Sequence, residues 1–236
     1  MENKIYRAIL AIIVPSLFIG VPESISSQYS PCIKSDTVCM EFEQLAEAGQ
    51  VDAIIKKIDA AAQYSEGARH YIGMAYLSLA GREETTPEQE EAYCRKALEY
   101  GSNQAYMGLY FIHAQKDPEK ALGFLRQYVE TKPADSVPYV ILGESELEKK
   151  NYKLADAYLR ESKKVARARS TRVDWMLFQV NYILGNDQFA VEMLESALTD
   201  RRFEPELKAL ATDTPFQGIE KRPEFKKFFT TTKAHD

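Results

Sequence analysis

Three short blocks of this 236-residue chain recur at a fixed interval: HYIGMAY around Gly73, AYMGLYF around Gly108 and YVILGES around Gly143. The glycines stand 35 residues apart both times, and a fourth block, WMLFQVNYILG, puts Gln179 in the same slot 36 residues later. A large apolar residue precedes each slot (Ile72, Met107, Leu142, Phe178), and Tyr76, Phe111, Glu146 and Tyr182 follow three positions on, Glu146 being the misfit. A period of this length means one supersecondary unit per repeat, stacked on its neighbours so that each apolar face is covered.

A second helical pattern follows each block. Ala121, Leu125 and Tyr128 stand at i, i+4 and i+7, as do Ala155, Leu159, Ser162 and Ala190, Leu194, Ala197, which places each trio on one helix face. Thr86-Pro87-Glu88-Gln89 reads as an N-cap, a first-turn proline and a capping-box partner, and Asp117-Pro118 repeats the device. Gly81, Gly101 and Gly185 lie where helices should stop. Glycine inside a helix costs up to about 1 kcal/mol against alanine, so Gly73, Gly108 and Gly143 predict close approach of the paired helix. Ala155 and Ala190 supply the small residues on its side.

Taken together, the Trp/Tyr, Leu-Gly, Tyr, Ala, Leu, Ala and Pro pattern resembles the tetratricopeptide repeat. Tyr139, Leu142, Gly143, Ala155 and Leu159 carry the resemblance best, with Pro133 between units; Trp175, Tyr182, Ala190, Leu194 and Ala197 carry the last repeat. The unit ending YCRKALEYG at Gly101, with its longer internal loop, resembles the related Sel-like repeat. A degenerate pair is expected over 36–64, with Ala53 and Ala60 at matching spacing. The tail TDTPFQGIEKRPEFKKFF is similar to the turn and capping helix that close such arrays. The resemblance implies an all-α fold: a right-handed superhelix, or α-solenoid, of stacked antiparallel helix pairs, about five over residues 36–200, with 201–236 as a capping segment.

Such a solenoid lines a concave groove with its first helices. The glycine register assigns to that groove His70, Met74, Leu77, Leu109, Ile112, His113, Val140, Glu144, Glu148, Met176 and Val180, together with Ser78, Ala105, Leu147, Ile183 and Leu184. This lining is largely apolar with one polar band, and suits an amphipathic helix or an extended apolar segment of a protein or peptide partner. The competing expectation is a terminal helix of the chain itself filling the groove. The Lys and Asn pairs by which some tetratricopeptide domains grip a chaperone's terminal carboxylate are absent, Leu77, Leu109 and Ile112 standing instead.

The first thirty residues read as an address. Lys4 and Arg7 precede an uncharged run of fifteen residues, AILAIIVPSLFIGVP, shorter than the roughly 20 a spanning helix needs and broken by Pro15. With Ser24 and Ser26 following, residues 1–26 are expected to be a secretory signal peptide and 27–35 an N-terminal arm; the alternative is an uncleaved membrane anchor. The expected location is the periplasm or cell envelope of a bacterium. An oxidising compartment lets Cys32 and Cys39 pair, at about 2–3 kcal/mol in the chain-entropy model. Cys94 falls on an apolar face and reads as a small buried hydrophobe.

Lys plus Arg is 30 against 35 Asp plus Glu, a formal charge of −5, which argues against nucleic acid as a partner. One local exception is the stretch 149–172, with nine cations that include Lys153, Arg160, Lys163, Lys164 and Arg167. These are expected on an outer helix face, either simply solvated or touching an anionic protein or membrane surface. His70, His113, Glu144 and Glu148 form the one acid–base constellation, but they come from three helices with no metal-ligand spacing. No phosphate loop or nucleophile elbow is present, so no enzyme activity and no cofactor are expected. A non-enzymatic binding scaffold is the leading expectation; a structural subunit permanently docked in an envelope assembly, with no free groove, is the alternative.

Overall fold

A computed structural model describes residues 32, 33, 35–59 and 62–230. The expected signal peptide, part of the arm and Ala60 lie outside these residues. Among the described residues twelve α-helices follow one another and no strand occurs: α1 (Thr37–Glu47), α2 (Val51–Lys56), α3 (Glu66–Ala80), α4 (Pro87–Glu99), α5 (Ala105–His113), α6 (Pro118–Glu130), α7 (Val137–Glu148), α8 (Tyr152–Val165), α9 (Thr171–Ile183), α10 (Asp187–Ala197), α11 (Phe203–Leu210) and α12 (Lys227–Thr230). A 3₁₀ turn, Ile219–Lys221, precedes α12. The chain divides into two units, one ending at Thr131 and the other starting at Lys132.

Consecutive helices pack as adjacent pairs in both units: α3 with α4 and α5 with α6 in the first, α7 with α8 and α9 with α10 in the second. The all-helical, paired architecture expected from the period is what the structure has. The capping signals also act as read. Gln89 N–H donates to Thr86 Oγ1 at 3.3 Å while Thr86 N–H donates to Gln89 Oε1 at 3.0 Å, and Lys120 N–H donates to Asp117 Oδ1 at 3.0 Å.

Helix ends are closed by a repeated device in which a left-handed residue is followed by a six-residue backbone bond. Gly49, Gly101, Lys150 and Gly185 take φ of 70, 86, 60 and 76°. The next N–H donates back to Leu45, Ala97, Glu146 and Asn181 respectively, at 2.8, 2.9, 2.8 and 2.8 Å. Gly81, by contrast, ends α3 at φ −81° and uses no special freedom of glycine.

These turns correct the fourth repeat. Lys150 and Gly185 are 35 residues apart, as are Asn151 and Asn186, and Glu146 and Asn181. Even the side chains agree: Asn151 Nδ2 donates to Glu146 and Asn186 Nδ2 to Asn181, at 2.7 and 3.0 Å. The interval is therefore 35 throughout, and the slot of Gly143 falls on Phe178, not on Gln179. Glu146 is no misfit either; it is buried and fastens the turn into α8.

Close approach holds at Gly73 and Gly143. A Cβ on Gly73 would stand 2.8 Å from Ser102 Cβ in the turn that ends α4, and one on Gly143 would stand 2.7 Å from Leu159 Cγ of α8. Gly108 is buried in α5. Phe178 fills its slot with a fully buried ring, 6.0 and 6.2 Å from the rings of Phe216 and Phe225 in the C-terminal segment.

Unit 1 has two apolar cores, one around Cys39, Phe42, Ile54 and Ile72, the other around Met74, Leu77, Cys94 and Leu109. Unit 2 has one, centred on α9, where Trp175, Leu177, Phe178 and Val180 are buried together with Leu159, Leu194, Phe203, Ile219 and Phe225. Cys32 and Cys39 are joined by a disulfide, Cα atoms 5.6 Å apart. The bridge sits beside the first turn of α1, where Asp36 Oδ1 accepts the Cys39 N–H at 2.9 Å.

Candidate binding cleft

Helices α7, α9 and α11 of unit 2 enclose a cleft of about 430 Å³. Its lining is Glu144, Leu147 and Glu148 from α7; Arg172, Trp175, Met176 and Gln179 from α9; Phe203 and Glu206 from α11; and Arg202 just before it. Helical spacing creates the surface: 144, 147 and 148 share a face of α7, and 172, 175, 176 and 179 share a face of α9. Leu147, Trp175, Met176 and Phe203 give an apolar floor that is the edge of the core, the last three being 7, 5 and 8% exposed, and in it the Trp175 and Phe203 rings stack with centroids 5.1 Å apart.

The charges around that floor are unequally spent. Arg172 is ion-paired with Glu144. Arg202 binds Asp200 at 2.6 Å, and that guanidinium holds the Asp200 carboxyl down to about 2. Both cations are thus already matched, whereas Glu148 and Glu206 carry no ion pair among the described residues. The cleft presents a net acidic rim over an apolar base.

The other groove positions read from the sequence divide by burial. Glu144, Glu148 and Met176 line the cleft, and Val140 packs at the edge of the same core. Val180 is fully buried. In unit 1, Met74, Leu77 and Leu109 are 2, 2 and 0% exposed inside a core with Cys94, Ala97 and Ala105, against which Ile112 packs. They are packing residues of their own unit and offer it no open surface. His113 stacks on Phe124 with centroids 5.6 Å apart, its Nε2 3.2 Å from Glu91 Oε2. His70 lies edge-on to Tyr71, and burial pushes its imidazole down to about 4. Among the described residues no group of three or more His, Cys, Asp or Glu is arranged to hold a metal ion, and no helix is long and apolar enough to cross a membrane.

Much of the cationic stretch on α8 is engaged within unit 2. Lys163 and Arg169 both reach the Asp174 carboxylate of α9, which is 1% exposed and also accepts from Ser196. Arg160 binds Asp156 at 2.7 Å and Asn181 at 3.2 Å, with its guanidinium 4.0 Å from the Phe189 ring centre. Buried Asn181 is fully satisfied: its Nδ2 donates to Asp156 and to Leu177 O, and its Oδ1 accepts from Arg160 and Asn186. Lys164 pairs with Glu161 one helical turn away, and Lys153 and Arg167 are exposed.

Sequence reasoning missed Arg172, Trp175, Gln179, Arg202, Phe203 and Glu206 as lining residues. The i, i+3, i+7 spacing of Arg172, Trp175 and Gln179 was the available signal; α11 belonged to the segment read only as a cap. No protein-family model matches the chain, and no curated protein is similar to it in sequence. What fold and cleft define together is an all-helical protein of consecutively packed helix pairs, with an acidic-rimmed apolar cleft on its second unit.

Proposed function

We propose that this chain is an exported helical-repeat scaffold of the tetratricopeptide or Sel-like kind, which binds a protein or peptide partner without covalent chemistry. One observation carries the reading: first-position helices α7 and α9, joined by α11, leave apolar side chains at the base of an open cleft. Burial of a partner's apolar side chain there supplies the driving force, at about 25 cal/mol per Å² removed from water. The 35-residue interval and the helix pairs support the repeat kinship. A basic start, a short apolar run and small residues at 24 and 26 support a signal peptide, and the Cys32–Cys39 bond fits an oxidising compartment such as the periplasm.

Photocrosslinking in intact cells tests this. A crosslinker at Gln179, in the cleft, is expected to trap a partner, while one at Lys153 on α8 is expected to trap none. Products from Lys153 and none from Gln179 would move the binding surface to the cationic helix face.

A further inference from the structure

We propose that the cleft of unit 2 selects a cationic apolar peptide segment, one in which Lys or Arg flanks a Leu- or Phe-sized side chain; this rests on the binding function proposed above. The selectivity follows from how the charges at the rim are spent. Arg172 and Arg202 are neutralised by Glu144 and Asp200, so an anionic ligand would have to displace an existing ion pair to gain one. Glu148 and Glu206 are exposed on two different helices and hold no ion pair among the described residues. A cation arriving between α7 and α11 meets Glu148, which no cation holds among the described residues, and Glu206, whose charge is shared only at a distance with Arg202, itself bonded to Asp200.

The floor sets the second requirement. At about 430 Å³ the cleft has the volume of a small-ligand pocket, enough for a few side chains and too little for a whole helix. An apolar anchor resting on Met176 and the Trp175 ring, with a cation next to it in sequence, uses floor and rim together. Rim carboxylates act chiefly on association rate and salt dependence, the apolar anchor on residence time.

Trp175 is the chain's single tryptophan and lines the cleft at 7% exposure, stacked on Phe203, so its fluorescence responds to a change in that lining. Two amidated twelve-residue peptides serve as probes, with Leu at i, i+3/i+4 spacing and either Lys or Glu at the remaining positions. The Lys peptide should shift Trp175 emission and bind the full-length protein at least about tenfold more tightly than its Glu twin at low salt. The gap should narrow as added salt shortens the reach of the rim charges. Combining Glu148→Gln with Glu206→Gln should abolish the preference with helicity intact, while Glu192→Gln on α10 should leave it in place. Equal affinity for both peptides would overturn the charge selectivity and leave peptide binding standing. No Trp175 response to either would overturn selectivity and binding alike. A Trp175 shift on simple dilution of the protein would assign the cleft to a second copy, and that also overturns the proposal.

Discussion

Lys163 of α8 donates to the carboxylate of Asp174 on α9, a group almost entirely withdrawn from solvent. Arg169 and Ser196 hold the same carboxylate, so one acid ties α8, the loop after it and α10 to the central helix of unit 2. Asp174 is the buried member: Lys163 and Arg169 are 43 and 57% exposed, so loss of the acid returns two cations to water and strands chiefly the Ser196 hydroxyl. Asp174→Ala should therefore lower unfolding free energy by about 1–3 kcal/mol. Lys163→Met should cost less, because Arg169 remains. Urea denaturation of both variants checks the order; equal midpoints would show that Lys163 alone matters.

Glycines of unlike surroundings should respond oppositely to one methyl group. Gly143→Ala drives a Cβ into fully buried Leu159 and should destabilise by about 1–3 kcal/mol. Gly123, in the middle of α6, has nothing within 4 Å of a built Cβ, so Gly123→Ala should stabilise by about 0.5–1 kcal/mol. Thermal melts of the two variants give the signs.

Lys150 holds φ at 60° in the turn position that Gly185 occupies one repeat later. A side chain there is strained and glycine is not. Lys150→Gly should raise stability by about 0.5–1 kcal/mol with an unchanged denaturant slope. A lower melting temperature would mean that Lys150 makes a compensating contact.

The imidazole of His70 is lowered from 6.5 to about 4 by burial. The unfolded chain consequently takes up a proton more readily than the folded one. Stability from this group is whole above about pH 6.5 and drains away as pH falls toward 4, by up to about 3 kcal/mol. His70→Gln should remove that share of the acid sensitivity. Chemical denaturation at pH 7, 5.5 and 4 compares the two chains, and parallel profiles would count against it.

Cys32 and Cys39 are bonded and Cys94 is buried. A maleimide should label none of them in the native protein and Cys94 alone once the unreduced chain is denatured, which mass spectrometry resolves. Three labels in denatured, unreduced protein would show the thiols free.

Helix existence and capping were legible because they are local: Thr86 and Asp117 need only their own first turns, and Gly101 and Gly185 their own last ones. The fourth repeat was misplaced by one residue because Tyr182 was matched to Tyr76. The backbone turns put Phe178 in the glycine slot, opposite aromatic rings from a distant tail that no periodicity announces. The groove was half legible for a related reason. An apolar residue facing the next helix and one at the edge of a cleft look alike in sequence, so Met74, Leu77 and Leu109 were read with Met176, which is nearly as buried and differs in reaching the cleft. Arg202, Phe203 and Glu206 come from beyond the repeats and were hidden by that position.

The engagement of Arg160, Lys163 and Arg169 changes what the cationic stretch of α8 offers to its surroundings. Of the nine cations between 149 and 172, Arg160, Lys163, Lys164, Arg169 and Arg172 are held by Asp156, Asp174, Glu161 and Glu144, so the stretch stays net positive while more than half of its cations are tied to fixed carboxylates. An acidic bilayer or polyanion approaching this stretch would meet exposed Lys150, Lys153 and Arg167 first, beside cations that must leave a carboxylate before they can respond.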